Sequence, residues 1–172
     1  MSTLKDLEAL IATTPDFPTP GVLFRDISPL LATRFADVVT EMGKLFTTDE
    51  LANTNAFAGV DARGFVFASA LAAAHNKNMV MIRKGGKLPP PSIQQTCTLE
   101  YGTAILELKP GPGGNVILLD DVLATGGTLS AAANLCDKAG YKVTAIATLI
   151  DLKFLNDFTW NGLVCRSLFQ YT

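Results

Sequence analysis

The segment from Val116 to Thr128, VILLDDVLATGGT, constrains the fold more than any other part of the chain. It opens with four consecutive apolar residues, as a parallel strand covered on both faces requires. Asp120 and Asp121 end that run, and a small-residue turn then leads into a helix predicted from Gly127 to Ala139. A strand, an acidic pair and a Gly-rich helix start, in this order, predict a ligand beyond the carboxyl end of a parallel strand.

Elsewhere, predicted strands and helices alternate along the chain, which favours an α/β fold with a mostly parallel sheet flanked by helices. No internal repeat or domain boundary is evident, so we expect a single domain over residues 1–172. The segment 83–98 is polar and proline-containing, and it predicts a long loop. The further predicted helices are a short one from Leu4, 34–46 and 64–74, and the further predicted strands are 56–60, 79–82, 99–101, 104–108 and 143–150.

Composition and charge exclude several classes of partner. The chain of 172 residues has a net charge of −2, which gives no overall electrostatic footprint for nucleic acid or an anionic membrane. The longest apolar stretch, 65–74, is about half the roughly 20 residues that a membrane span needs. Three widely spaced cysteines fit neither a disulfide framework nor a zinc site, and the N-terminus does not look like a secretory signal. We therefore expect a cytoplasmic protein with no nucleic-acid or membrane partner.

The turn from Ala124 to Thr128 has the properties of a monophosphate site. Gly126 and Gly127 allow close approach of the backbone, and the start of a helix offers unpaired amides and partial positive charge. Taken singly, the acidic pair and the glycines could be an ordinary strand end and an ordinary turn. No P-loop and no GxGxxG fingerprint occurs in the chain, so neither an NTPase nor a Rossmann dehydrogenase is supported.

Two further segments could bind a second anionic group. The loop from Gly59 to Gly64, GVDARG, follows an apolar strand and contains Arg63. The segment from Arg83 to Lys87, RKGGK, places three cations within five residues, although such a run could also be merely a solvated surface. Together with the phosphate turn, these segments predict a site for a ligand that carries several phosphates.

As a block, the segment from Val116 to Thr128 resembles the signature of type I phosphoribosyltransferases. The resemblance implies that Asp120 and Asp121 face the ribose hydroxyls, where negative charge would stabilise an oxocarbenium-like centre. It also implies that Mg²⁺ is bound mainly through substrate and water, with no direct protein ligand. The implied 5-phosphate site is Ala124, Thr125, Gly126, Gly127 and Thr128, and the implied pyrophosphate site is Asp61, Ala62, Arg63, Arg83, Lys84 and Lys87.

The nucleobase is suggested by a closer resemblance, to the adenine phosphoribosyltransferases. It rests on PDFP and PGVLFRDISPL near the N-terminus, on RK-GKLP joined to LEYG, and on the endings DL and SLFQY, and it extends from about Pro15 to the end. The family implies adenine and 5-phosphoribosyl pyrophosphate as substrates, AMP and pyrophosphate as products, and a homodimer. It also implies a base-binding hood over about 1–33 and a flexible catalytic loop over about 83–101.

The same resemblance implies roles for residues around the base. Phe24 and Leu152 would sandwich the purine, and backbone groups of Leu23 and Arg25 would read its amine edge. Glu100 would act on the ring nitrogens, and Tyr101 would help to close the loop over the site.

Several alternatives stay open at this point. Phe24 could be a plain core aromatic, and Glu100 a salt-bridged residue at a strand end. A transferase for hypoxanthine, guanine or xanthine would share the sugar chemistry, and a related regulator would bind DNA. The N-terminal signature counts against the first, and the lack of a basic or helix-turn-helix segment counts against the second. The segment after Leu152, KFLND, departs from the family's usual Gly-Arg turn and puts the fine geometry of the base pocket in question.

Overall fold

The computed structural model describes residues 3–99 and 102–172 and divides the chain into two compact units, residues 1–44 and 45–172. None of the helices in these described stretches is both long and apolar enough to cross a membrane. The first unit contains α1 (Leu4–Glu8), β1 (Ala12–Thr14), β2 (Phe24–Asp26) and α2 (Ser28–Gly43).

The first unit differs from the predictions at both of its helices. The Thr3 side chain accepts a hydrogen bond from the Asp6 amide at the start of α1, but the helix ends well before Pro15, because β1 pairs antiparallel with β2. The second helix begins at Ser28 rather than Arg34, since Pro29 in the first turn is compatible with a helix start. Arg34 has non-helical backbone angles and marks a kink within α2.

The second unit is built on an eight-stranded sheet in the order β5-β6-β4-β3-β7-β8-β10-β9 among its described residues. The neighbours β4-β3-β7-β8-β10 run parallel, whereas β5, β6 and β9 join antiparallel at the two edges. The strands are β3 (Ala56–Val60), β4 (Asn78–Lys84), β5 (Ile93–Leu99), β6 (Gly102–Leu108), β7 (Gly114–Leu123), β8 (Tyr141–Leu152), β9 (Thr159–Trp160) and β10 (Leu163–Tyr171). The helices are α3 (Thr48–Asn53), α4 (Arg63–Ala74), α5 (Gly127–Lys138) and a short 3₁₀ turn, Lys153–Leu155.

Helices cover both faces of the parallel strands. On one face, α5 packs into a buried cluster that includes Ala58, Leu118 and Ile146. On the other face α4 lies so close to β3 that a Cβ at position 59 would be 2.7 Å from the Cβ of Ala68. This double covering explains why β3, β7 and β8 are continuous apolar runs. The predicted α/β fold with a mostly parallel sheet is confirmed.

The predicted loop over 83–98 is wrong in its second half. Ile93–Leu99 forms β5, which pairs with β6 from Ile93↔Leu108 to Leu99↔Gly102. As an edge strand it has one strand neighbour and leaves most of its side chains at least partly exposed, so its polar sequence is tolerated. β10 was not predicted at all. The acidic pair also lies within β7, which continues to Leu123, rather than at the strand's end.

The three cysteines are all buried and free. Burial raises the pKa of the Cys136 thiol to about 12 and that of Cys165 to about 11. Cys97 is 1% exposed and lies 3.7 Å from the Thr128 hydroxyl.

Candidate active site

A cavity of about 430 Å³ opens where β3, β4 and β7 end. These strands are parallel neighbours, so their carboxyl ends meet at one edge of the sheet. The structure thereby brings together residues that are far apart in sequence. The cavity is lined by Val60, Asp61, Ala62, Arg63, Lys84, Cys97, Leu99, Ala104, Leu106, Asp120, Asp121 and Thr128.

The two aspartates of β7 occupy the floor of this cavity and are both buried. The Asp121 amide donates a 2.8 Å hydrogen bond to Oδ1 of Asp120. Burial, together with the adjacent Asp121 charge, raises the pKa of Asp120 well above its usual range. Asp121 is instead paired with Arg63, whose Nε lies 2.5 Å from Asp121 Oδ2. The two carboxyls therefore differ in environment: the pKa of Asp120 is raised, whereas Asp121 is ion-paired.

The loop after β3 joins this floor to the cationic wall. Its Asp61–Ala62 peptide bond is cis. Asp61 Oδ2 accepts hydrogen bonds from Arg83 Nε (3.1 Å) and from the Lys84 amide (3.3 Å). Burial alone would raise the pKa of Asp61, but these bonds and the nearby charge of Lys87 leave it below its usual range. Asp61 is therefore a negative anchor for the basic segment Arg83–Lys87.

The phosphate turn lines an adjoining cavity of about 270 Å³, bounded by Leu99 and residues 122–129. Thr128 and Leu99 line both cavities. Gly126 precedes α5 with φ of 90°, and a Cβ at position 127 would lie 2.1 Å from the Thr98 carbonyl oxygen. Amides of the first helical turn have no partner within the helix, so this turn can bind an anion. All five predicted residues of the turn, Ala124 to Thr128, line the cavity.

The predicted base contacts fall in both units. Phe24 is half-buried in β2, and its ring packs edge-on against Phe17 at 5.1 Å. Leu23 is 46% exposed, and Arg25 follows Phe24 in β2. Leu152 ends β8 in the second unit. Contact of these four residues with one base remains a prediction, as do the roles of Glu100 and Tyr101, which lie outside the described residues.

The segment after Leu152 contacts the phosphate turn, which the sequence did not reveal. Asn156 Nδ2 donates to Leu152 O (2.9 Å) and to Asp151 Oδ1 (3.1 Å), while Asn156 Oδ1 accepts from the Phe158 amide (3.1 Å). The Phe158 ring packs against Gly126, where a Cβ would lie 2.5 Å from Cδ2 of that ring. One asparagine thus connects the end of β8 with the phosphate turn.

Glu107 is a second residue near the site that was not predicted from the sequence. This buried residue of β6 accepts hydrogen bonds from the amides of Gly86, Lys87 and Leu88. The only local signal was a single acidic residue in the apolar run 104–108.

The family of the chain is shown by its relatives. A family model for the phosphoribosyl transferase domain matches residues 34–153. The adenine phosphoribosyltransferase of Bdellovibrio bacteriovorus is 51% identical over 166 residues, which are 96% of this chain and 99% of that protein. The corresponding enzyme of Hydrogenovibrio crunogenus is 47% identical, with 96% of each chain covered.

Solved structures agree with the sequence relatives. The crystal structure of adenine phosphoribosyltransferase from Thermoanaerobacter pseudethanolicus has a TM-score of 0.87 at 32% identity, covering 98% of this chain and all of that one. The Giardia lamblia enzyme, solved with 9-deazaadenine, has a TM-score of 0.86 at 32% identity, covering 100% and 99% of the two chains. This chain therefore belongs to the adenine phosphoribosyltransferase family, within the larger family of phosphoribosyl transferase domains.

Proposed function

We propose that this chain transfers the phosphoribosyl group of 5-phosphoribosyl pyrophosphate to adenine, releasing AMP and pyrophosphate, a reaction of purine salvage. The observation that carries the proposal is the pair of adjoining cavities, in which buried carboxylates separate a helix-start turn from a wall of cations. The names of relatives with about half of their residues identical over nearly the whole chain support adenine as the base.

The sugar would lie over the acidic pair. The turn Ala124–Thr128 would bind the 5-phosphate through backbone amides and the hydroxyls of Thr125 and Thr128. Asp121, ion-paired with Arg63, would face the ribose hydroxyls and stabilise positive charge at the anomeric carbon as the bond to pyrophosphate breaks. Asp120, whose pKa is raised by burial and by the neighbouring Asp121, would also face the ribose hydroxyls.

The pyrophosphate would lie against the loop Asp61–Arg63 and the basic segment. Arg63 is 56% exposed while paired with Asp121, so its guanidinium can also reach a ligand on the solvent side. Lys84 lines the cavity, and Arg83 and Lys87 lie beside Asp61. Together these cations would offset the negative charge of the leaving group.

Mg²⁺ fits this site as an ion carried by the substrate. No group of three His, Cys, Asp or Glu side chains capable of holding a metal occurs within residues 3–99 and 102–172. Asp121 is already paired with Arg63, and Mg²⁺ commonly keeps several waters and binds substrate phosphates. When bound, it would neutralise charge on the pyrophosphate.

The base would lie between Phe24 and Leu152, with backbone groups of Leu23 and Arg25 reading its amine edge. Glu100 would add or remove a proton on the imidazole side of the purine. Closure of the catalytic loop, with Tyr101, over the site would exclude water. A homodimer and a cytoplasmic location complete the proposal and rest on the family alone.

The test is AMP formation from adenine and 5-phosphoribosyl pyrophosphate with Mg²⁺, beside hypoxanthine, guanine and xanthine. Adenine alone should turn over, and Asp121→Asn should lower kcat/KM by about 100-fold or more, since a group that stabilises the transition state is lost. Glu100→Gln should also lower the rate, whereas Asp137→Asn, on the exposed side of α5, should not. Preference for another base would contradict the proposed adenine site at Phe24 but not the proposed phosphoribosyl site. Binding of the phosphoribosyl substrate without turnover would favour a regulatory protein.

A further inference from the structure

The Glu107 carboxylate accepts hydrogen bonds from the backbone at the end of the basic segment. Oε1 accepts from the Gly86 amide (2.8 Å) and from Gln94 Nε2 (2.9 Å), and Oε2 accepts from the amides of Lys87 (3.2 Å) and Leu88 (3.1 Å). Three consecutive backbone N–H groups therefore converge on one carboxylate that is 2% exposed. Such converging amides form the type of concavity that binds anions in other proteins.

The carboxylate is held in its charged form by these bonds. The Gly86 amide, followed by the Leu88 amide and the Gln94 side chain, lowers the pKa of Glu107 despite burial. The amides of Gly86, Lys87 and Leu88 are thereby already occupied. A pyrophosphate ligand would meet the side chains of this segment rather than these amides.

Glu107 does not itself line the cavity. Ala104 and Leu106 of β6 do, and alternate residues of a strand point to opposite faces. Arg83 and Lys84 pair with β6 within the sheet, the Gly85 amide donates to Ile105 O at 2.7 Å, and only residues 86–88 then reach the Glu107 side chain. Glu107 can therefore affect a ligand only through the segment that it holds.

A second carboxylate holds the other end of the same segment. Asp61 accepts from Arg83 Nε and from the Lys84 amide. The four-residue stretch from Lys84 to Lys87 is thus fixed at its start by the loop after β3 and at its end by β6. Lys84 projects from backbone held by the partly buried Asp61, and Lys87 from backbone held by the buried Glu107.

We propose that Glu107 is a positioning residue for pyrophosphate recognition, fixing the backbone of residues 86–88 so that Lys84 and Lys87 face the pyrophosphate of the substrate. This inference rests on the proposed function. It assigns to Glu107 an effect on affinity for the pyrophosphate-bearing ligand and not on the chemical step. It also distinguishes Glu107 from Asp120 and Asp121, which would act on the sugar.

The test compares Glu107→Gln and Glu107→Asp with Glu50→Gln, which removes a partly buried carboxylate outside the site. Glu107→Gln replaces an acceptor oxygen with an amide nitrogen and should speed hydrogen exchange of residues 84–88 in the protein without ligand. It should raise KM for 5-phosphoribosyl pyrophosphate, and the dissociation constant of Mg²⁺-pyrophosphate by calorimetry, about tenfold, as loss of bonds to a charged group implies. Because the chemical groups are untouched, kcat and KM for adenine should change less than about twofold.

Glu107→Asp keeps the charge and should recover part of the pyrophosphate affinity, while Glu50→Gln should leave exchange at 84–88 and both KM values unchanged. The inference is overturned if Glu107→Gln leaves the pyrophosphate affinity unchanged, or if kcat falls while both KM values stay constant. If the wild-type protein forms no AMP but binds pyrophosphate, the proposed function fails and calorimetry still decides the role of Glu107. If the wild-type protein does not bind pyrophosphate, the proposed function and the proposed role of Glu107 both fail.

Discussion

At the scale of single residues, the two neighbouring aspartates of β7 have opposite electrostatic environments. Asp121 has Arg63 as a partner, whereas Asp120 is 9% exposed and next to another carboxyl. The raised pKa of Asp120 means that the folded state keeps its proton to a higher pH than the unfolded state does. Its contribution to stability is therefore complete at a pH below the ordinary carboxyl value of 3.8 and is lost as the pH rises through the folded value.

Asp120→Asn should therefore stabilise the protein at pH 8 while lowering its activity. The asparagine keeps an oxygen for the Asp121 amide and removes the cost of a buried charge, so the melting temperature should rise by about 3 °C. The gain should shrink toward pH 4, where the wild-type carboxyl is protonated and, like the asparagine, carries no charge. Thermal unfolding at both pH values is the measurement, with Asp137→Asn as the control. A lower melting temperature at pH 8 would contradict the assignment.

Residues of the site differ in how far sequence alone can identify them. Asp61, Arg63 and the phosphate turn closely follow apolar strands, and the acidic pair lies near the end of one, so local pattern and parallel topology suffice to group them. Glu107 and Asn156 act through hydrogen bonds to groups that the local sequence pattern does not predict. The amides that bind Glu107 lie 19 to 21 residues earlier in the chain. Such roles depend on strand pairing and loop path, which no residue pattern specifies.

At the scale of elements, the turn after β8 connects two parts of the candidate site. Asn156→Ala would free Leu152 O and the Phe158 amide and loosen the ring that packs on Gly126. We expect KM for adenine and for 5-phosphoribosyl pyrophosphate each to rise about fivefold, since partly buried polar groups would lose their partners. Steady-state kinetics in both substrates is the measurement.

Asn134→Ala is the matched control, because it removes an exposed asparagine side chain that accepts a 2.9 Å hydrogen bond from Trp160 Nε1 and lines neither cavity. It should leave both KM values unchanged. Equal effects of the two substitutions would mean that Asn156 has only a general structural role.

A second element-scale contact joins β10 to the start of the second unit. Arg166 makes a two-pronged ion pair with Glu50 of α3 and also donates to Leu45 O. The Arg166 hydrogen bond, together with the Thr47 amide, lowers the pKa of Glu50 to about 2. This stabilisation is complete above the ordinary value of 4.5 and is lost as the pH falls toward about 2.

Glu50→Gln should lower the free energy of unfolding at pH 7 by about 1 kcal/mol, a modest value because both side chains are partly exposed to water. The difference from the wild type should vanish as the pH approaches 2. Urea unfolding at pH 7, 4 and 3 would measure it. A difference that stays constant over this range would rule out the charged pair as its source.

Elements were predictable where burial on both faces makes a strand continuously apolar, as in β3 and β7. Strands at or near a sheet edge weaken that signal: β5 was misassigned at the edge, and β10, which pairs with the short edge strand β9 only at Leu163 and Val164, was missed. β5 has one strand neighbour and β10 carries polar residues at several positions. The start of α2 was missed because proline marks helix starts as well as helix ends.

At the scale of the whole molecule, ligand binding should stabilise the folded chain in proportion to how much of the ligand the site recognises. AMP carries both the base and the 5-phosphate, adenosine lacks the phosphate, and IMP lacks the amine. At a concentration about 100 times its dissociation constant, AMP should add about 2.7 kcal/mol, and adenosine and IMP less at the same concentration. Thermal-shift measurements compare the three, and equal shifts for AMP and IMP would contradict an amine-reading base pocket.

The three buried cysteines have a practical consequence for following motion in this protein. Reaction with a maleimide dye requires an accessible thiolate, and burial withholds both access and charge from Cys136 and Cys165. Cys97 is enclosed as well. A cysteine introduced at an exposed position, such as Thr103→Cys on β6, would then react far faster than the native thiols. Site-specific fluorescence of the strands around the cavities is therefore accessible in the natural sequence background, without first removing its own cysteines.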